Sequence, residues 1–260
     1  MEPESFLTIF QIVVLTIALI GSIRIIGAGR KSLFAVMFAF ATSCLVLSDL
    51  YWLTYEILRP DTRKPFAANE VGEWAMFLLF AAALTSEHPM RLQDARTEIL
   101  FTCLFVIANV ALWIGWSGEW VEDILTGLAL GYFLCALALH IKAEGAFSDA
   151  VLRALGISSL VLVIAQALIF FVSGPADAWL DYGCYVLMFA VSVLLVVKAV
   201  SSLLSAQSPS RCICTTFAAF AWLIITMYMS SGAFYIAAVL LNTLSYLLMY
   251  IAIKRKVASE

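Results

Sequence analysis

Phe6-Leu-Thr-Ile-Phe-Gln-Ile-Val-Val-Leu-Thr-Ile-Ala-Leu-Ile-Gly-Ser-Ile-Arg-Ile-Ile26 carries a single charged residue, Arg24. At 1.5 Å per residue such a run is long enough to cross the ~30 Å hydrocarbon of a bilayer as an α-helix. Its apolar positions do not alternate, so it does not read as a strand of a membrane barrel. Runs of this kind recur to the end of the chain. The composition agrees: 63% of residues are hydrophobic and 13% charged, with a mean hydropathy of +1.00. Water-soluble domains are near half apolar and about a quarter charged. In lipid the backbone must satisfy its own hydrogen bonds, which leaves helices or a closed barrel. The expected fold is therefore all-α, a polytopic bundle of about nine spans: Phe6–Ile26, Ser32–Leu58, Ala68–Leu84, Ile99–Trp116, Ile124–Ile141, Leu155–Ser173, Tyr182–Leu203, Ile213–Met229 and Ala233–Ile253.

The connections are short and no soluble segment interrupts them, so residues 1–260 are read as one transmembrane domain with successive spans packed as antiparallel hairpins. The start, Met1-Glu-Pro-Glu-Ser5, is acidic and lacks the basic beginning of a secretory signal. The first run is thus expected to remain as a span. One set of connections, with the carboxyl end, holds Arg24, Arg30, Lys31, Arg91, Arg96, Lys142, Arg153, Lys198, Arg211, Lys254, Arg255 and Lys256. The other holds only Arg59, Arg63 and Lys64. By the positive-inside rule the amino terminus is outside and the carboxyl terminus cytoplasmic, which requires an odd number of spans. The expected location is the plasma (cell) membrane, with the lipid bilayer as the obligatory partner.

Trp52, Trp74, Trp113, Trp116, Trp120 and Trp179 fall at or near the outer ends of spans, and only Trp222 lies deep. An interfacial belt accounts for most of this; a lining for an outward-facing pocket is the sharper alternative. Gly127 and Gly131 form a G-x-x-x-G that permits close helix approach, and Ala81, Ala82 and Ala83 offer the same on the third span. Cys44, Cys103, Cys135 and Cys184 lie inside apolar runs and read as small hydrophobes. Cys212 and Cys214 read as reduced cytoplasmic thiols. Acid and tryptophan recur together at three outer helix starts: Asn69–Trp74, Gly118–Asp123 and Ala178–Tyr182. Carboxylates favour helix amino ends and tryptophan favours the interface, which explains the echo without a duplication.

The densest polar stretch near the membrane runs from Ser48 to Trp74. Asp49, Trp52 and Glu56 share one helical face, and so do Glu70, Glu73 and Trp74. A hairpin places Glu56 level with Glu70 or Glu73, and Asp49 ~10 Å deeper. A carboxylate that deep costs on the order of 2.5–3.5 kcal/mol and is too short to reach the interface. Asp49 must therefore face the interior or water. Ser48, Asn109, Gln166 and Asn242 are candidate neutral partners. The structural reading pairs Glu56, Glu70 and Glu73 with Arg59, Arg63 and Lys64. The functional reading is an outward-facing acidic site built from Asp49, Glu56, Glu70 and Glu73, walled by Trp52, Tyr55 and Trp74, that receives a proton, an inorganic cation or an organic amine.

Other chemistry is set aside. His88 and His140, the only histidines, both fall toward the cytoplasmic side and are expected to be solvated. No H-E-x-x-H, P-loop or Cys/His pattern is present, so no metal site, cofactor or catalytic residue is assigned. Lys198 lies toward the cytoplasmic end of its span, expected to snorkel rather than to hold a retinal. The net charge of −3 gives no basic stripe for nucleic acid. The leading expectation is a small-solute or cation carrier, or a solute-binding sensor. The alternatives are an assembly subunit that binds a membrane-protein partner through the 59–69 connection and, weakest, an enzyme acting on lipid.

Overall fold

The computed structural model describes residues 3–28, 32–59, 68–87, 96–172, 175–205 and 207–259. Among them are nine α-helices: α1 (Pro3–Gly27), α2 (Leu33–Leu58), α3 (Ala68–Glu87), α4 (Arg96–Ser117), α5 (Trp120–Glu144), α6 (Asp149–Ile169), α7 (Pro175–Leu204), α8 (Pro209–Met229) and α9 (Gly232–Ser259). Eight are long and apolar enough to cross a membrane; α3 is the exception. Glu70, Glu73 and Glu87 lower its apolarity, yet Met76, Phe77, Phe80, Ala81, Ala83 and Leu84 are among its buried residues. Its polar ends are tolerated because α2 and α5 cover much of it. Most helices overhang the predicted spans by a turn, since backbone bonding continues past the hydrocarbon. Of the residues used in the sequence reading, Met1, Glu2, Arg30, Lys31, Arg63, Lys64, His88, Arg91 and Ser173 lie outside the described residues.

α8 is the axis of the bundle. Every residue from Cys212 to Thr226 is buried, against α9, α7 and α5. A helix whose residues from Cys212 to Thr226 carry no charge on any side suits that position. Cys212 and Cys214 are thus free thiols held inside the protein, not at its surface. α4 and α6 are the most lipid-exposed helices. The expectation that sequence neighbours pack as hairpins fails twice. Among the described residues α3 does not touch α4, and α5 does not touch α6. The cause at the first is α5, whose Gly127 and Gly131 admit Val110 and Val106 of α4 so closely that α5 packs between α4 and α3. A Cβ on Gly131 would stand 3.2 Å from the Val106 side chain, as the G-x-x-x-G spacing predicts. At the second, Gly145 ends α5 in the left-handed conformation, φ 57°, a turn that favours glycine and sends the chain away to α6 beyond α4.

The centre is aromatic. Phe38 of α2, Phe77 and Phe80 of α3, Phe133 of α5, Phe217 and Phe220 of α8 and Tyr246 of α9 are all fully buried. Phe80 is the hub, with ring centroids 5.1 Å from Phe217, 5.6 Å from Phe220 and 5.8 Å from Phe133. The one hydroxyl in the layer is satisfied: Tyr246 Oη and Thr42 Oγ1 are 2.7 Å apart.

Gly72 sets the fit of α3 on α2. A Cβ there would come 3.0 Å from the Cys44 carbonyl oxygen and 3.2 Å from Ser48 Cβ. Because one of those atoms is backbone, the helices must part to accept it. Gly72→Val is expected to cost about 1–2 kcal/mol, read as a lower thermal midpoint in detergent; an unchanged midpoint would show that this contact is loose.

Candidate functional site

The acids near the carboxyl end of α2 and the amino end of α3 converge through helix direction. Successive helices alternate, so the amino ends of α1, α3, α5 and α9 meet the carboxyl ends of α2 and α8 at one end of the bundle. There they enclose a cavity of about 290 Å³. Its polar walls include Gln11 (α1), Ser48 and Asp49 (α2), Asn69, Glu70 and Glu73 (α3), Glu122 (α5), Tyr228 (α8), and Tyr235 and Asn242 (α9). Four carboxylates line it, and among the described residues no Lys, Arg or His does. Trp52, 38% exposed, stands at its edge.

The arrangement is only partly satisfied from within. Tyr228 donates its hydroxyl proton to Glu73 Oε2. Asn69 Nδ2 donates to Glu70 Oε1 at 2.9 Å, and Ser48 Oγ donates to the Asn69 carbonyl at 3.0 Å. Asp49 Oδ2, Asn69 Oδ1 and Asn242 Oδ1 are buried with no hydrogen-bond partner among the described residues. Asn242 is 1% exposed. Buried polar atoms left so in a native protein call for a specific explanation, and all three line the same cavity.

Of the expected site residues, Asp49, Trp52, Glu70 and Glu73 share this cavity; Tyr55, Glu56 and Trp74 are not among its walls. Trp74 turns the other way and donates Nε1 to Thr126 Oγ1 of α5 at 2.8 Å. Tyr55 packs near Tyr51 on its own helix, centroids 6.2 Å apart. Glu56 misses because the assumed register was wrong. Gly72 abuts Cys44 and Ser48, so it is Asp49, not Glu56, that lies level with Glu70 and Glu73. The reason is that α2 runs on to Leu58 while α3 begins only at Ala68, leaving Glu56 about 10 Å nearer the outer end than Asp49.

The expected neutral partners also divide. Ser48 and Asn242 line the cavity. Asn109 instead donates to the Phe105 carbonyl on its own helix at 2.8 Å, and Gln166 Nε2 lies 3.4 Å from Met229 Sδ. Glu122, Tyr228 and Tyr235 were missed. Glu122 belongs to the acid-and-tryptophan echo at Gly118–Asp123, which marked it; the two tyrosines sit at helix ends and resemble interface aromatics. A second space of about 260 Å³ adjoins the first, sharing Glu70, Glu73, Glu122 and Tyr228 and bounded by Trp113 and Trp116. Trp120 and Trp179, 60% and 77% exposed, fit a belt facing lipid.

The opposite end holds an ionic cluster. Lys256 of α9 pairs with Glu87 of α3, and His140 Nε2 of α5 lies 3.8 Å from the other Glu87 oxygen. His140 is 1% exposed, which overturns the expectation of a solvated histidine. The final turn of α3, beyond the predicted end at Leu84, brings Glu87 over it.

Fold and cavity together define a class: a polytopic helical membrane protein with an acidic, aromatic-edged cavity at one end and a buried ionic cluster at the other. Compared with known proteins, the chain matches no family model, no curated protein and no solved structure.

Proposed function

We propose that this protein binds a small organic cation, a protonated amine, in its outer cavity and carries it across the membrane. The observation that supports the reading is the lining: four carboxylates, Asp49, Glu70, Glu73 and Glu122, converge on one space, and the buried oxygens Asp49 Oδ2 and Asn242 Oδ1 there have no hydrogen-bond partner among the described residues. Carboxylates at membrane depth are costly unless a cation or proton meets them. Trp52, Tyr228 and Tyr235 line the same space, and aromatic rings favour an ammonium group. An amine fits better than a bare metal ion, because among the described residues no three Asp, Glu, His or Cys side chains converge as metal ligands. The volume of about 290 Å³ is at the small end of ligand pockets, about 300–1,000 Å³. The aromatic layer below the cavity and the ionic cluster beyond it are consistent with a carrier open only to the outside. A solute-binding sensor would use the same cavity.

The test is binding and uptake by the purified chain in detergent and in proteoliposomes, with methylammonium, tetramethylammonium and choline as probes and sodium as control. The organic cations are expected to raise the thermal midpoint. Asp49→Asn and Glu73→Gln should each weaken binding at least about tenfold, equivalent to about 1.4 kcal/mol of lost interaction. No response to any of the three probes, or an equal response in both variants, rejects the proposal. The lipid-enzyme alternative is disfavoured because His140, the one described histidine, sits at the far end from the carboxylates.

A further inference from the structure

The largest space among the described cavities is elsewhere, in the gap that α5 and α6 leave by failing to touch. It measures about 440 Å³. Phe101 and Phe105 of α4, Leu134 and Leu137 of α5, Leu155 of α6 and Trp222 of α8 form much of its wall. Polar groups along it are turned inward to the protein. Trp222 Nε1 donates to the Met188 carbonyl at 3.1 Å, and Ser159 Oγ to the Leu155 carbonyl at 2.9 Å. The interior therefore offers a guest apolar contact and little else.

The rim is different. It lies at the amino ends of α4 and α6, the end that the charge rule places in the cytoplasm. Glu98 there is held by Lys142 through one oxygen, Oε1 to Nζ 2.7 Å, while its Oε2 has no hydrogen-bond partner among the described residues. Arg153, which also lines the space, donates Nε to the Asp149 carbonyl at 3.3 Å and has no carboxylate within ion-pair distance among the described residues. A guanidinium whose hydrogen bond to its own helix uses only Nε stands at the mouth of an apolar slot, and the remaining donors suit a phosphate. Basic pockets between membrane helices on the cytoplasmic side suit anionic lipid headgroups.

We infer that this gap is a binding site for an anionic phospholipid of the cytoplasmic leaflet, with an acyl chain in the α4–α5–α6 slot and the phosphate on Arg153. The site is separate from the outer cavity and stands whether or not that cavity binds an amine. A phosphate ion alone would satisfy Arg153 and leave the slot unused, whereas a neutral-headed lipid would fill the slot and leave Arg153 unused. The occupant that uses both halves is the anionic lipid.

The experiment is thermal denaturation and native mass spectrometry of the full chain in mild detergent, with phosphatidylglycerol, phosphatidylcholine or inorganic phosphate added. Phosphatidylglycerol is expected to stay bound and to raise the midpoint by about 5 °C at saturation, phosphatidylcholine by clearly less, and phosphate not at all. Arg153→Gln, at an exposed position, should erase the preference for phosphatidylglycerol over phosphatidylcholine. Gly156→Leu, which pushes a side chain into the slot beside Phe101, should reduce retention of both lipids. Equal effects of the two lipids on the unaltered chain overturn the inference, as does an unchanged preference in Arg153→Gln. A phosphate effect equal to that of phosphatidylglycerol overturns it too, leaving an anion site without a lipid.

Discussion

Glu87→Gln is expected to destabilise the protein more than the double change Glu87→Gln with Lys256→Met. Glu87 holds Lys256 through one oxygen and lies 3.8 Å from His140 through the other. Glu87 and Lys256 are only 16% and 12% exposed, and the Lys256 ammonium stands 5.8 Å from the centroid of the Phe34 ring. Removing the carboxylate leaves that ammonium in a poorly solvated place. Breaking a buried pair from one side costs about 3–5 kcal/mol, and the residual exposure here puts the expected loss near the lower end, about 3 kcal/mol. Removing both charges ends the conflict, so the double variant should recover at least about 1 kcal/mol of it. Denaturation midpoints of the four proteins in the cycle, in one detergent, measure this directly. If the two changes simply add, the pair behaves as an exposed one worth little, and this end of the bundle is not locked by charge. The consequence is topological, because Glu87, His140 and Lys256 come from α3, α5 and α9, the helices whose other ends line the outer cavity.

The membrane architecture was legible because lipid writes it into the chain as uninterrupted apolar runs. α3, too polar to qualify by apolarity alone, is nonetheless a helix over Ala68–Glu87, where the sequence reading expected a span over Ala68–Leu84. Lateral packing was not readable. Whether α4 or α5 lies against α3 depends on how Val106 and Val110 seat on Gly127 and Gly131, an interlocking that hydropathy does not encode. The site divided along the same line. Asp49 and Trp52 share a helical face, as do Glu70 and Glu73, so each pair was visible from spacing. The register between the two helices was not, because it depends on where α2 stops, and that error placed Glu56 in a site it does not line. Asn242 was conspicuous as an amide in an apolar run, while Tyr228 looked like any tyrosine at a span end. His140 was misjudged because its burial depends on Glu87, a residue from a turn of α3 that the apolar run does not include.

Phe80→Ala is the second change expected to have a large effect, and its physics differs from that of a soluble core. The ring of Phe80 touches those of Phe38, Phe133, Phe217, Phe220 and Tyr246. For a membrane protein the transfer part of the penalty shrinks, since the unfolded helices already sit in hydrocarbon and association rests on packing. The void part remains. At roughly 24 cal/mol per Å³, a void on the order of 100 Å³ costs about 2.4 kcal/mol. Phe80→Leu, which keeps most of the volume, should lose less than half as much. Midpoints in detergent decide between the two accounts: similar losses for Ala and Leu would mean that ring geometry, not filled space, holds the layer. The change also probes the cavity, because Phe80 lies seven residues beyond Glu73, about 10 Å deeper on the same helix. Met76, between them, is both a wall of the cavity and fully buried. Emptying the Phe80 position removes the support beneath that floor. In proteoliposomes, Phe80→Ala should therefore admit protons or small cations passively where the unaltered chain does not, while Phe80→Leu stays tight. A tight Phe80→Ala protein of reduced stability would assign the aromatic layer to packing alone and place the barrier to permeation at the Glu87–Lys256 end.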